Sequence, residues 1–335
     1  VKITNYILSF RELPYPIIRS WVIGVVVCLS FVLPSTLTVP TDYPNIQAGI
    51  DASTSGDTVL VLDGVYSGEG NTNISYVSNG DSLILISENG YSTTIIDCEN
   101  NGKFATFGGS PTVSLIGFTF KNANSSVGAL EFYSGLERIS SCLFLNNHSS
   151  NGGAISTHLS SSTIISNCVF YGNTSVSGGT DINNGIGGGP QVYNSILSGT
   201  VGYGEHGISI YYSLVNNNIP FYDEGSFLGD PLFVDPESNQ FELQLTSPCI
   251  NAGSPAFPLD PDGSMIDIGI SYYPLPEIGD CNFDGEINVL DVAVLVTIIL
   301  EPIPIYNALQ WVADLNQDEE INVIDIIIII NQILY

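Results

Sequence analysis

The chain has 335 residues, with 34 Asp and Glu against 6 Lys and Arg and a formal net charge of −28 at pH 7. Only 12% of its residues are charged, so the acidity reflects a near absence of cations; such a surface repels phosphate backbones and anionic lipid, which excludes nucleic-acid binding. A hydrophobic fraction of 44% supplies a large core and excludes disorder, and the length suggests two domains.

Lys2, Arg11 and Arg19 precede an apolar run, 21–33 (WVIGVVVCLSFVL), that stops at Pro34. The run is shorter than the ~20 residues a membrane-spanning helix needs and suits the apolar core of a secretory signal. Residues 1–37 are therefore expected to be a leader, removed near Ser35, Thr36 and Thr38. The mature chain is expected to be secreted, extracellular or on the cell surface, with no membrane span. The cysteines beyond it (Cys98, Cys142, Cys168, Cys249 and Cys281) have the spacing of neither a disulfide framework nor a zinc site.

From about residue 38 the sequence repeats itself. The segment Ile139-Ser-Ser-Cys142-Leu-Phe144-Leu-Asn146-Asn147 recurs 26 residues later as Ile165-Ser-Asn-Cys168-Val-Phe170-Tyr-Gly-Asn173. Leu115-Ile-Gly-Phe118-Thr-Phe120-Lys-Asn122 fits one unit earlier, and Val192-Tyr-Asn-Ser195-Ile-Leu197 and Ile210-Tyr-Tyr-Ser213-Leu-Val215 continue the register. Gly128-Ala-Leu130 likewise returns as Gly153-Ala-Ile155. Short runs of Ile, Val, Phe and Thr broken by Gly, Asn and Ser are strand and turn signals. A repeat of that length describes one coil of a parallel β-solenoid, in which coils stacked ~4.8 Å apart bury a continuous core. Phe118, Cys142, Cys168 and Ser195 should form one interior ladder, with the cysteines as buried thiols or, alternatively, a disulfide. Asn122, Asn146 and Asn173 are expected at the turn after one strand.

The ends differ from the middle. Residues 38–52 read as an extended entry and a short amphipathic helix with Ile46, Ala48 and Ile50 available for burial, and Gly56-Asp-Thr-Val-Leu-Val-Leu-Asp-Gly-Val-Tyr66 starts the first strands. These residues, with Thr94-Ile-Ile-Asp97, Gly229-Asp-Pro-Leu-Phe-Val-Asp235 and Leu243–Gly253, resemble the right-handed parallel β-helix, or pectin-lyase-like, superfamily. The resemblance implies a mainly β fold, a β-helix over residues 38–272, and a setting in extracellular polysaccharide catabolism. Asp260-Pro-Asp-Gly263 reads as a turn, or as a calcium site.

After a linker at 273–279 the texture changes. Asp280, Asn282, Asp284, Asn288 and Asp291 place oxygen donors at positions 1, 3, 5, 9 and 12 of a twelve-residue loop, with Gly285 at 6 and the Glu286 carbonyl at 7. The pattern recurs with Asp314, Asn316, Asp318, Glu320, Asn322 and Asp325, but Glu319 takes the glycine position. Helices are expected over the apolar segments Val292–Leu300 and Ile326–Leu334. Residues 280–335 thus resemble a type I dockerin, which implies two Ca2+ sites and docking to a cohesin-like partner or a cell-surface assembly. Glu319 should weaken the second site, because left-handed backbone at a non-glycine residue costs ~1–2 kcal/mol. Positions 10 and 11 are apolar (Val289-Leu290 and Val323-Ile324) where dockerins usually carry hydroxyl residues. These pairs either alter partner choice or pack on the body.

No complete catalytic motif of the superfamily is present. Arg138, next to Glu137, is the only arginine of the body, and Gly204-Glu-His206 is a partial echo of a polygalacturonase segment. If Leu130 and Ile155 point inward, Glu131, Tyr133, Ser156 and His158 share an outer face, and the register adds Asp181 and Asn183. Glu131, His158 and Asp181 are therefore the candidate acid–base residues of a glycoside hydrolase or polysaccharide lyase, against the alternatives of a plain solvated face or a non-catalytic glycan-binding adhesin.

Overall fold

The computed structural model describes residues 34–334 apart from 159–161, 186–188, 203–206, 217–218, 220–221 and 302–303. The expected leader up to residue 33, and His206, lie outside the described residues. Residues 34–335 form one compact unit. It is a parallel β-solenoid of about six turns with a small helical region at its C-terminal end.

One full coil shows the plan. Leu130–Phe132, Leu136–Ser140 and Leu143–Leu145 form three successive faces, and His148–Asn151 a short fourth strand. The next coil repeats them as Ile155–Thr157, Ile164–Ser166, Val169–Tyr171 and Thr174–Ser177. Each strand pairs in parallel with its equivalents above and below, which creates a twelve-stranded, an eight-stranded and a three-stranded sheet. Earlier in the chain, Ile74–Ser87 and Ala105–Ile116 run through the first two faces without a break. The ladder begins at Thr36–Val39, paired with Thr58–Val61, and Ser35 bonds Asp57 through both its amide and its hydroxyl. The parallel ladder thus includes Thr36 and Leu37.

Stacking puts like upon like in the core. Leu115, Ile139, Ile165, Val192 and Ile210 form one buried row and Phe120, Phe144, Phe170, Leu197 and Val215 another. Phe144 lies 5.3 Å from Phe120 and 4.7 Å from Phe170, ring centroid to ring centroid. The ladder of Phe118, Cys142, Cys168 and Ser195 occurs as expected and continues to Ser213. Both cysteines are free thiols, so the disulfide alternative does not occur.

Corners explain the polar part of the repeat. Gly117, Ser141, Asn167, Asn194 and Tyr212 occupy the same corner in successive coils, all with φ between +46° and +80°. Asn122, Asn146 and Gly172 mark the next corner, at +55°, +54° and +67°. The expected Asn122–Asn146–Asn173 row is thus off by one in its last member. Asn173 stacks on Asn147, whose side chain donates to the Phe120 carbonyl and to Asn173 Oδ1, each at 3.0 Å. Glycine replaces asparagine at 172 because a Cβ there would run into Asn146 Oδ1.

Both ends are closed. Helix α1 (Ile46–Ala52), capped by Asn45, buries Ile46 and Ile50 over the first coil. At the other end Phe233–Asp235 and Gln240–Leu243 form an antiparallel hairpin whose Phe233, Phe241 and Leu243 pack with Cys249, Ile250 and Ile268. The tail contains α2 (Val289–Leu300), α3 (Asn307–Ala313) and α4 (Val323–Leu334). Helices α2 and α4 each begin three residues before the expected start, because Asn288 caps the first and Asn322 stands in the same place in the second.

Candidate functional site

The two tail loops share most of their hydrogen bonds. Asp280 accepts from the amides of Asp284 and Gly285 at 3.1 and 2.9 Å, and Asp314 from those of Asp318 and Glu319 at 3.1 and 2.8 Å. Asp291 accepts from Asn282 and Asn288 at 3.0 and 2.8 Å; Asp325 accepts from Leu315 and Asn322, each at 2.8 Å. Position 6 is left-handed in both, with φ of +87° at Gly285 and +69° at Glu319. The glutamate is therefore held in the conformation that the sequence disfavours there.

Charge argues for a cation in these loops. Asp291 and Asp325 are fully buried and Asp280 and Asp314 nearly so, yet the chain has no lysine or arginine beyond Arg138. Buried carboxylates without a counter-charge are costly, and backbone amides alone do not neutralise them. Among the described residues no group of three or more His, Cys, Asp or Glu side chains is placed to hold a metal by itself. The donor set that fits a hard, oxygen-seeking cation is mixed: Asp280, Asn282, Asp284, Asp291 and the Glu286 carbonyl in one loop, with Asp314, Asn316, Asp318, Asp325 and the Glu320 carbonyl in the other. Asn288 and Asn322 spend their side-chain oxygens on helix amides, Leu290 and Ile324, at 2.8 Å.

The apolar pairs at positions 10 and 11 do not pack on the body. Val289 and Leu290 are 70% and 57% exposed, Val323 and Ile324 58% and 50%. Ile327, Ile330 and Leu334 extend the exposed stripe along α4, and Val296 and Leu300 along α2. Each helix carries it in the same place relative to its loop.

The solenoid presents a second polar cluster. Glu131 and Ser156 are in register with Asn183 on one face, as expected, and His158 stands beside Tyr133 with ring centroids 5.1 Å apart. Glu131 accepts from Lys103 Nζ at 2.5 Å and from Thr106 Oγ1 at 3.1 Å, and His158 Nε2 lies 3.3 Å from its other oxygen. The His158 ring, and then the Lys103 ammonium, hold its carboxyl down at about 2. An acid held ionised in this way accepts hydrogen bonds but does not donate a proton near neutrality.

Asp181 does not join that face, which corrects the expected grouping. Alternation breaks at the corner: Ala129 and Ala154, one residue ahead of inward Leu130 and Ile155, are themselves fully buried, and Asp181 occupies their position. Its carboxylate accepts from Asn173 Nδ2 at 3.2 Å and the Gly199 amide at 2.7 Å, and burial pushes it up to about 7. Glu131 and Asp181 thus do not share a face of the solenoid. Arg138 points outward on its strand and Glu137 inward, so these neighbours do not share a site. Glu137 is fully buried, takes one bond from Thr163 Oγ1 at 2.9 Å, and is raised by burial.

Asp260–Gly263 is a turn. Asp260, Asp262 and Asp267 spend their oxygens on the amides of Asp267, Ser264, Leu275, Asn251 and Tyr273. Sequence reasoning missed Lys103, the cation beside Glu131; its signal was a position about one repeat upstream. It also missed α3 and Asn307, which no loop motif marks.

Comparison with known proteins agrees with the tail and is sparse for the body. Residues 278–334 match the dockerin type I domain. No curated protein sequence matches the chain. Among solved structures, a crystal structure of pectate lyase Pel9A aligns over 72% of this chain and 96% of its own, at 13% identity and a TM-score of 0.31. The solenoid assignment rests on the parallel ladders themselves. No helix among the described residues is long and apolar enough to cross a membrane.

Proposed function

We propose that this is a secreted modular protein whose dockerin domain, organised by two calcium ions, docks the chain to a cohesin-like partner in a cell-surface assembly, while the solenoid engages polysaccharide. The observation that carries the reading is the duplication in the tail: two loops with matching hydrogen bonds, each followed by a helix that leaves its apolar positions 10 and 11 in solvent. Apolar side chains in those places favour a partner that buries aliphatic surface over one that reads hydroxyl groups. The test is capture of the full chain on immobilised cohesins in calcium and in chelator. Retention in calcium with release by chelator, weakened by Val289→Asp together with Val323→Asp, is expected; equal capture in chelator contradicts the reading.

For the body, the Lys103–Glu131–His158 cluster favours glycan binding over hydrolysis, because Glu131 is held ionised by the two groups beside it. Tyr133, 42% exposed and stacked on His158, offers a sugar-packing surface beside hydrogen-bonding groups. Electrophoretic retardation in gels containing neutral polysaccharides, lost in Tyr133→Ala, is the expected behaviour. Release of reducing sugar or unsaturated product by the wild type, abolished by Glu131→Gln, restores the hydrolase or lyase reading.

A further inference from the structure

The tail is joined to the body by more than a connecting strand. Asn307, the first residue of α3, donates from Nδ2 to the carbonyls of Pro248 and Ile250 at 3.1 and 2.7 Å. Ala308 is fully buried among Phe233, Phe241, Leu243, Ile250 and Ile268, the apolar patch that closes the last coil. The connection itself is fastened: the Tyr273 amide donates to Asp267, the Leu275 amide to Asp262, and the Tyr91 and Ser271 hydroxyls meet at 2.7 Å.

The first calcium loop touches the body's closing patch directly, whereas the second meets the junction only through α3, whose C-terminal cap is Asp314. Phe283, between the donor residues Asn282 and Asp284, packs both on the closing patch of the body and on the tail's own core, and lies 6.3 Å from the Tyr306 ring. Its backbone is left-handed, with φ +62°, so its direction is set by the loop's turn. Cys281, between Asp280 and Asn282, is buried in the tail core, and the Gly279 amide donates to the Val312 carbonyl of α3 at 2.9 Å. The equivalent of Phe283 in the second loop is Gln317, a polar residue outside both apolar clusters.

We infer that the first loop and α3 together form the C-terminal cap of the solenoid, so that calcium in the first loop, which carries Phe283 onto the closing patch, tightens the closing segment of the body more than calcium in the second does. A solenoid end exposes unpaired edge and apolar surface unless a cap covers it. The cap's own rigidity depends here on a loop whose buried carboxylates, Asp280 and Asp291, require a cation. Coupling runs both ways: the docked body favours the metal-bound form of the loop as much as the metal favours docking. The inference rests on calcium occupying the first loop, and the experiment separates the two.

Hydrogen exchange of the full chain, with and without calcium, reads the cap at the amides of 240–250 and 266–269, and a calorimetric calcium titration of the same samples reads the metal. Calcium is expected to slow exchange in those segments about tenfold in the wild type and in Asp314→Ala, but not in Asp280→Ala. Phe283→Ala keeps every ligand, so it should still take up calcium while losing most of the protection. Calcium uptake without protection in the wild type, or equal loss of protection in Asp280→Ala and Asp314→Ala, overturns the coupling. No calcium uptake by the wild type overturns the occupancy reading and the coupling with it.

Discussion

Body and tail both bury aspartate, with opposite consequences. In the body, Asp181 lies at a corner of the stacked coils and Asp267 in the closing segment, and burial pushes both up to about 7. Glu137 is raised in the same way. In the tail, Asp280, Asp291, Asp314 and Asp325 are buried too, but each collects amide N–H groups beside further oxygen donors in a tight loop. The first arrangement favours a carboxyl that keeps its proton; the second suits a carboxylate that meets a divalent cation. One residue type thus serves two settings, and since Asp181 and Asp267 also accept backbone amides, what separates them is the twelve-residue loop of further oxygen donors around the tail carboxylates.

The contrast can be broken most forcefully from the body. Phe144→Ala removes the middle ring of a buried stack, and a loss of about 3–5 kcal/mol is expected in denaturant unfolding, unrelieved by calcium. Full rescue by calcium would mean that the ring stack is not a source of stability apart from the coupling at the closing segment.

Chelation strikes the other side. Removing calcium should lower the tail's stability by about 3–4 kcal/mol if the metal stands at a hundred to a thousand times its Kd, with helical circular dichroism lost and the β signal kept. Loss of the β signal at the same chelator concentration would join what the comparison separates.

Acid should act on two opposed sets of carboxyls within the body. Asp181 and Asp267 have ordinary values of 3.8 and folded values near 7, so their contribution is complete below about pH 4 and disappears as pH rises through about 7. Glu131 runs the other way: held at about 2 against 4.5, its contribution is present above about pH 4.5 and lost as pH falls toward 2. These groups together should make the body most stable near pH 4. Asp181→Asn, which keeps an acceptor for the Gly199 amide, should flatten the body's stability profile between pH 4 and 7; an unchanged slope in urea unfolding would refute the assignment.

The smallest expected effect compares the two loops with each other. Glu319→Gly relieves a left-handed glutamate and should tighten the second loop for calcium by about 1 kcal/mol, roughly fivefold, in a calorimetric titration. No change in affinity would show that the backbone there carries no penalty.

The repeat was legible because stacking demands that equivalent positions match. Phe118, Cys142, Cys168 and Ser195 could be aligned by eye, and they do stack. The paired loops of the tail were legible for a related reason, since oxygen donors spaced along a tight turn leave a linear signature. Corners were less so: a glycine at 172 shifted the apparent asparagine row by one, and only the backbone angles reveal that Asn173 pairs with Asn147. Asp181 was misplaced because strict alternation fails where the chain turns. Lys103 and Asn307 were missed because each acts across a gap in sequence, one coil in the first case and a domain junction in the second.

Calorimetric titration of the full chain with calcium tests the account's central claim most directly. Two saturable events of unequal strength are expected, the stronger removed by Asp280→Ala and the weaker by Asp314→Ala. A flat titration, or a single event untouched by either substitution, would contradict it.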